Sequence, residues 1–122
     1  MNYYEDHING LMEELSRAFA VDNAIKEIKN NPGKYPEFDF WVPGYDSEGW
    51  AEKAIKDFDK IAPELRNAPA VFKLITMRHY RKLGQMYRKS GRKELVGSKQ
   101  HANDTVWMVK KLHPELLYGT EP

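Results

Sequence analysis

Between Tyr4 and Lys29 apolar side chains recur at Ile8, Leu11, Met12, Leu15, Phe19, Ala24, Ile25 and Ile28. Steps of three and four sustained over that length predict an amphipathic helix rather than a strand. Its polar side carries Glu5, Asp6, Glu13, Glu14, Asp22 and Glu27, an acidic outer face. Gly10 weakens its first turns by roughly 1 kcal/mol relative to alanine. Asn30-Asn31-Pro32-Gly33 ends it, because Pro32 has no N–H for the ladder and Gly33 tolerates a positive φ.

The periodicity then lapses. Residues 31–48 are rich in proline, glycine and rings, and they enclose Phe38-Asp39-Phe40-Trp41-Val42, an aromatic, β-prone run. A disordered linker does not carry so many large apolar groups, so this segment reads as an ordered loop over the helices, with one short strand. The helical period resumes near Ser47, with Trp50, Ala51, Ala54, Ile55, Phe58 and Ile61 on one face and Asp46 or Ser47 as cap. Pro63 stops that helix, and Pro63–Ala68 reads as a short helical turn.

A longer helix is expected from Pro69 to Ser90, with Gly91 as its stop. At about 100° per residue from Arg78, the residues Arg81, Lys82, Gln85, Arg88, Lys89 and Arg92 fall between about 280° and about 40°. Phe72, Ile75, Thr76, His79, Leu83, Met86 and Tyr87 fall between about 60° and about 180°. One face is basic and the other apolar. A last helix runs from Ser98 or Asn103 to Leu112, burying Ala102, Val106, Val109 and Leu112; residues 104–109 fit a strand equally well by period. The fold class these segments predict is all-α, a single-domain bundle of four to five helices over residues 1–122.

Charge adds what the period does not give. Residues 1–65 hold seven Lys/Arg against fourteen Asp/Glu, and residues 66–122 hold twelve against four. The net charge of +1 thus conceals an acidic half and a basic half. From Arg66 to Lys99 ten basic residues meet a single acid, Glu94. Such a concentration points to nucleic acid or another acidic surface unless the acidic half neutralises it internally.

The 122 residues include no cysteine, which excludes disulfide scaffolds, thiolate metal sites and cysteine nucleophiles. No run approaches the ~18 apolar residues of a membrane span, and the first residues lack the pattern of a signal peptide. A cytoplasmic protein with no membrane partner is expected. His7, His79, His101 and His113 have no metal-binding spacing, so no metal or cofactor is expected. His79 lies on the apolar face and reads as a core histidine, and His113 as a helix C-cap. Asp46, Glu48, Glu52, Asp57 and Asp59 diverge around one helix and read as a solvated face rather than a two-metal nuclease site.

The expected role is therefore non-catalytic binding of DNA or RNA. Arg78, Arg81, Lys82, Arg88, Lys89, Arg92, Lys93 and Lys99 are the phosphate ligands, because each neutralised phosphate releases counterions. Gln85, Ser98, Gln100, His101 and Asn103 are the polar groups suited to phosphate or base-edge contacts. The alternative is a protein-interaction module, an inhibitor or adaptor. It docks through Phe38, Phe40, Trp41, Tyr45 and Trp50 of the acidic aromatic loop, or forms a homodimer through its complementary charge halves.

Residues 71–112, with Phe72, Leu74, Tyr80, Leu95-Val96-Gly97-Ser98, Ala102, Val106 and Leu112, resemble the helix-turn-helix of small phage transcription regulators and sigma-type domains. That resemblance implies a recognition helix after Ser98 that enters the major groove near its start. The small residue expected in the motif's first helix falls instead near Gly91-Arg92, where a helix ends.

Overall fold

The computed structural model describes residues 3–31, 33–38 and 47–118. Among them the chain forms α1 (Tyr3–Asn30), α2 (Ser47–Ile61), α3 (Ala70–Lys89), α4 (Lys99–Leu112) and α5 (Glu115–Tyr118). Short 3-10 turns at Pro36–Phe38, Pro63–Leu65 and Lys93–Leu95 punctuate the connections, and no described residue is in a strand. The all-α architecture follows the period of the sequence. Residues 104–109 are helical. Phe38 belongs to a 3-10 turn, and the rest of the expected short strand, with Asp46, lies outside the described residues.

Proline and glycine set the boundaries. Pro69 caps α3 with extended backbone, and Gly91 follows its end at φ 76°, a left-handed conformation that side chains avoid. Ser98 caps α4: its hydroxyl accepts the His101 N–H at 3.2 Å and donates to the Leu95 carbonyl at 2.6 Å. His113 ends α4 as its C-cap, its N–H donating to the Val109 carbonyl.

Helix α3 is the centre of the molecule and packs against α1, α2 and α4. Phe58 of α2 meets Phe72 of α3 edge to face, ring centroids 6.1 Å apart. Leu74, Ile75 and Thr76 are fully buried around them, together with Ala51 and Val109. Thr76 satisfies its hydroxyl by donating to the Phe72 carbonyl. Lys73 is buried as well, with Nζ donating to Asp59 at 2.8 Å and to the Arg66 carbonyl. That pairing lets a cation sit beside the Phe58 ring without a lone buried charge.

Residues 33–38 stitch three helices together. Tyr35 is buried and donates its hydroxyl to Glu27 of α1 at 3.1 Å. Glu37 reaches across to α3 and the end of α4: its Oε2 accepts from His79 Nε2 at 3.1 Å and from His113 Nε2 at 2.9 Å. Burial pushes the Glu37 carboxyl up, but the two histidine hydrogen bonds overcome that effect and hold it down at about 2. His79 is thus a packed histidine with Nε2 satisfied, as its place on the apolar face implied.

The expectation for α1 holds in only half of the helix. Val21, Ala24, Ile25 and Ile28 are buried, while Ile8, Leu11, Met12, Leu15 and Phe19 are exposed. The cause is a break of phase. Taking Ile8 as zero, the buried set lies between about 160° and about 260°, but the exposed set lies between about 300° and about 40°. A straight helix cannot turn both stripes to one core. Two further residues expected in the core, Met86 and Leu112, are also exposed.

Candidate nucleic-acid interface

The outward face of α3 carries Arg81, Lys82, Gln85, Arg88 and Lys89, all exposed. Arg92 and Lys93 follow in the turn after Gly91, and they are exposed too. Arg78, the first cation of the expected stripe, is half-buried and therefore partly withdrawn from solvent. From Arg81 to Lys89 the helical part spans about 12 Å at 1.5 Å per residue.

Four acids of the first half are occupied elsewhere. Glu27 pairs with Lys34, Asp57 with Lys53, Asp59 with Lys73, and Glu37 with the two histidines. Among the described residues, no carboxylate lies within ion-pair distance of Arg81, Lys82, Arg88, Lys89, Arg92, Lys93 or Lys99. Asp57 lines the same cleft as Arg81 and Arg88. It is nevertheless held by Lys53 at 2.6 Å, four residues back on its own helix.

That cleft lies between α2 and α3 and has a volume of about 560 Å³. Arg81, Gln85 and Arg88 form one wall, with Trp50 and Lys53 opposite and Tyr80, Gly84 and His101 among the remaining lining residues. Tyr80 and His101 stack with centroids 3.7 Å apart, and the edge of Tyr87 meets His101 at 5.2 Å. The sequence singled out Tyr80 only for its place in the helix-turn-helix resemblance and Lys53 not at all, because the pairing of α2 with α3 leaves no local mark on either segment.

Other candidates are placed differently. His101 is a correction: the ring is 1% exposed, Nδ1 accepts the Gly97 N–H at 3.1 Å, and Nε2 donates to the Tyr80 carbonyl at 2.8 Å. Both nitrogens are used, so this histidine has nothing to offer a phosphate. Its polar neighbours concealed that it shares a helix face with Ala102, Thr105 and Val109, all buried. The Ser98 hydroxyl is likewise committed to its cap. Lys99 and Asn103 line a separate groove of about 410 Å³ with Lys60 and Glu64, whereas Gln100 is simply exposed.

The aromatic docking loop is corrected in part. Phe38 is buried with its ring 5.9 Å from that of Trp50, which is itself half-buried, so this pair serves the core. Phe40, Trp41 and Tyr45 lie outside the described residues. The segment from Ser90 to Ser98 joins α3 to α4 with nine residues. A helix-turn-helix uses ~3–4 residues there, so the resemblance is not carried into the geometry.

Among the described residues, no group of three or more His, Asp or Glu is arranged to hold a metal ion. In the Glu37 cluster both imidazoles hydrogen-bond to the same carboxylate oxygen, so the three side chains are engaged with one another. No described helix is long and apolar enough to cross a membrane. No protein-family model, curated protein or solved structure matches this chain.

Proposed function

We propose that this protein binds nucleic acid, DNA or RNA, through the exposed face of α3 and the turn after it, in a binding role without catalysis. The observation that carries the reading is the set of uncompensated cations, Arg81, Lys82, Arg88, Lys89, Arg92 and Lys93, on one rigid element and its continuation. A solvated surface helix ordinarily interleaves acids four residues from its cations, and α3 contains no Asp or Glu at all.

The chemistry suits a polyphosphate backbone. Arg81 and Arg88 present planar forks that hold a phosphate by two hydrogen bonds, while Lys82 and Lys89 act as mobile point charges. Gln85 sits between the two arginines on the cleft wall, where it is placed to read a base edge. The test is fluorescence anisotropy with labelled duplex and single-stranded DNA and RNA at rising salt. Binding whose log K falls by roughly four to six per decade of salt supports the reading, since each phosphate contact contributes about 0.9 on a duplex. Absence of binding to all of them at low salt overturns it.

A further inference from the structure

We infer that the exposed stripe on the first half of α1 is a self-association surface, on which two copies of this chain pair antiparallel across a two-fold axis. The stripe consists of Tyr4, Ile8, Leu11, Met12, Leu15 and Phe19, with exposures from 37% at Ile8 to 70% at Leu15. All six fall within about 100° of arc on a continuous helix, the width of a core-facing seam. The centre of the stripe lies opposite the buried residues of the same helix, Val21 to Ile28, while Met12 at its edge also lines the cavity that α1 forms against Ile55, Asp59 and Lys73. A contiguous apolar patch of this kind on a small domain marks an interaction site rather than scattered surface apolarity.

The spacing of the stripe selects the occupant. Positions 4 and 19, 8 and 15, and 11 and 12 are related by reflection about the midpoint between Leu11 and Met12. An isologous interface demands this: residue i of one copy meets residue j of the other, and j meets i. In an antiparallel pair Tyr4 then faces Phe19 of the second copy, Ile8 faces its Leu15, and Leu11 faces its Met12. Every position of the seam receives an apolar partner.

Area and charge agree with that occupant. Six side chains at these exposures offer roughly 700 Å² per copy, close to the ~800 Å² per partner of a standard interface. Asp6 and Glu13 lie at about 160° and about 140°, on the far side of the helix from the seam. Two copies therefore meet without bringing those carboxylates together; Glu5, at about 60°, borders the contact, and Asp22, at about 320°, continues its face one turn beyond Phe19.

The experiment uses the full chain in sedimentation equilibrium at roughly 100 μM, a concentration that reveals even a micromolar dimer. Wild type should show twice the 14.3 kDa of one chain, and Leu15→Glu should return it to a single mass with unchanged helical CD. Because the chain has no cysteine, Ile8→Cys and Leu15→Cys proteins mixed under mild oxidation report the register. A disulfide joining the two variants is expected. A wild-type monomer, a dimer indifferent to Leu15→Glu, or cross-linking of Ile8→Cys only to itself each overturns the inference. None of these readouts involves nucleic acid, so they stand or fall apart from the α3 reading.

Discussion

Tyr80 and His101 lie face to face, 3.7 Å between centroids and 3° from parallel, and this stack joins α3 to α4. Gly84, one turn on from Tyr80, makes room for it: a Cβ there would stand 3.2 Å from His101 Cε1. Two hydrogen bonds fix the ring, so it has little freedom to retreat. Gly84→Ala should therefore forfeit the ~1 kcal/mol that alanine gains over glycine in an open helix position. Gly84→Val should lower stability by about 1–3 kcal/mol through overpacking. Urea unfolding of the two variants beside wild type measures both.

His101→Ala should be costlier. It removes a fully buried ring and leaves the Gly97 N–H without its acceptor, a combined loss of about 3 kcal/mol. Because the ring is not part of the cationic surface, the folded fraction of His101→Ala should still bind an oligonucleotide as tightly as wild type. Denaturant midpoints and anisotropy at a temperature below the transition check the two halves of this expectation separately.

The Glu37 cluster gives the molecule an acid limb. A carboxyl lowered from 4.5 to about 2 in the folded state contributes stability that is complete above pH 4.5. That contribution is lost as pH falls toward 2, because the unfolded chain takes up its proton first. At about 1.4 kcal/mol per pKa unit the contribution is on the order of 3 kcal/mol. Glu37→Gln should be destabilised by a similar amount at pH 7, and its stability should fall less steeply between pH 5 and pH 2. Urea midpoints across that range show the difference, and parallel slopes would contradict it.

Much of the fold was legible because prolines, glycines and the 3.6-residue period are local devices. Pro63, Pro69, Gly91 and Ser98 stop and cap the helices where the sequence places them. The basic face of α3 was legible for the same reason, since position on a helix follows from count alone. Two kinds of feature escaped. The hydrogen bonds of Glu37 span 42 residues to His79 and 76 to His113, and no local pattern encodes such a pairing. The two faces of α1 were encoded in phase, but a list of three- and four-residue steps hides the slip between Phe19 and Val21. His101 misled through its neighbours, for a polar run is still one-sided once it coils.

Lys73 separates a structural cation from a binding one. It belongs to α3 but is buried on Asp59 and the Arg66 carbonyl. Lys73→Met should change stability while leaving oligonucleotide affinity and its salt slope unaltered. Lys82→Ala should do the reverse, with unchanged unfolding and a salt slope shallower by about 1. Paired unfolding and salt titrations on the two variants check the distinction.

The most direct measurement reverses charge on the cleft wall itself. Arg81→Glu combined with Arg88→Glu substitutes two exposed side chains and touches no described ion pair, so helical CD should be preserved. Anisotropy with the tightest-binding oligonucleotide should then show binding lost at every salt concentration. Binding equal to wild type by this folded double variant would place the interaction elsewhere on the molecule.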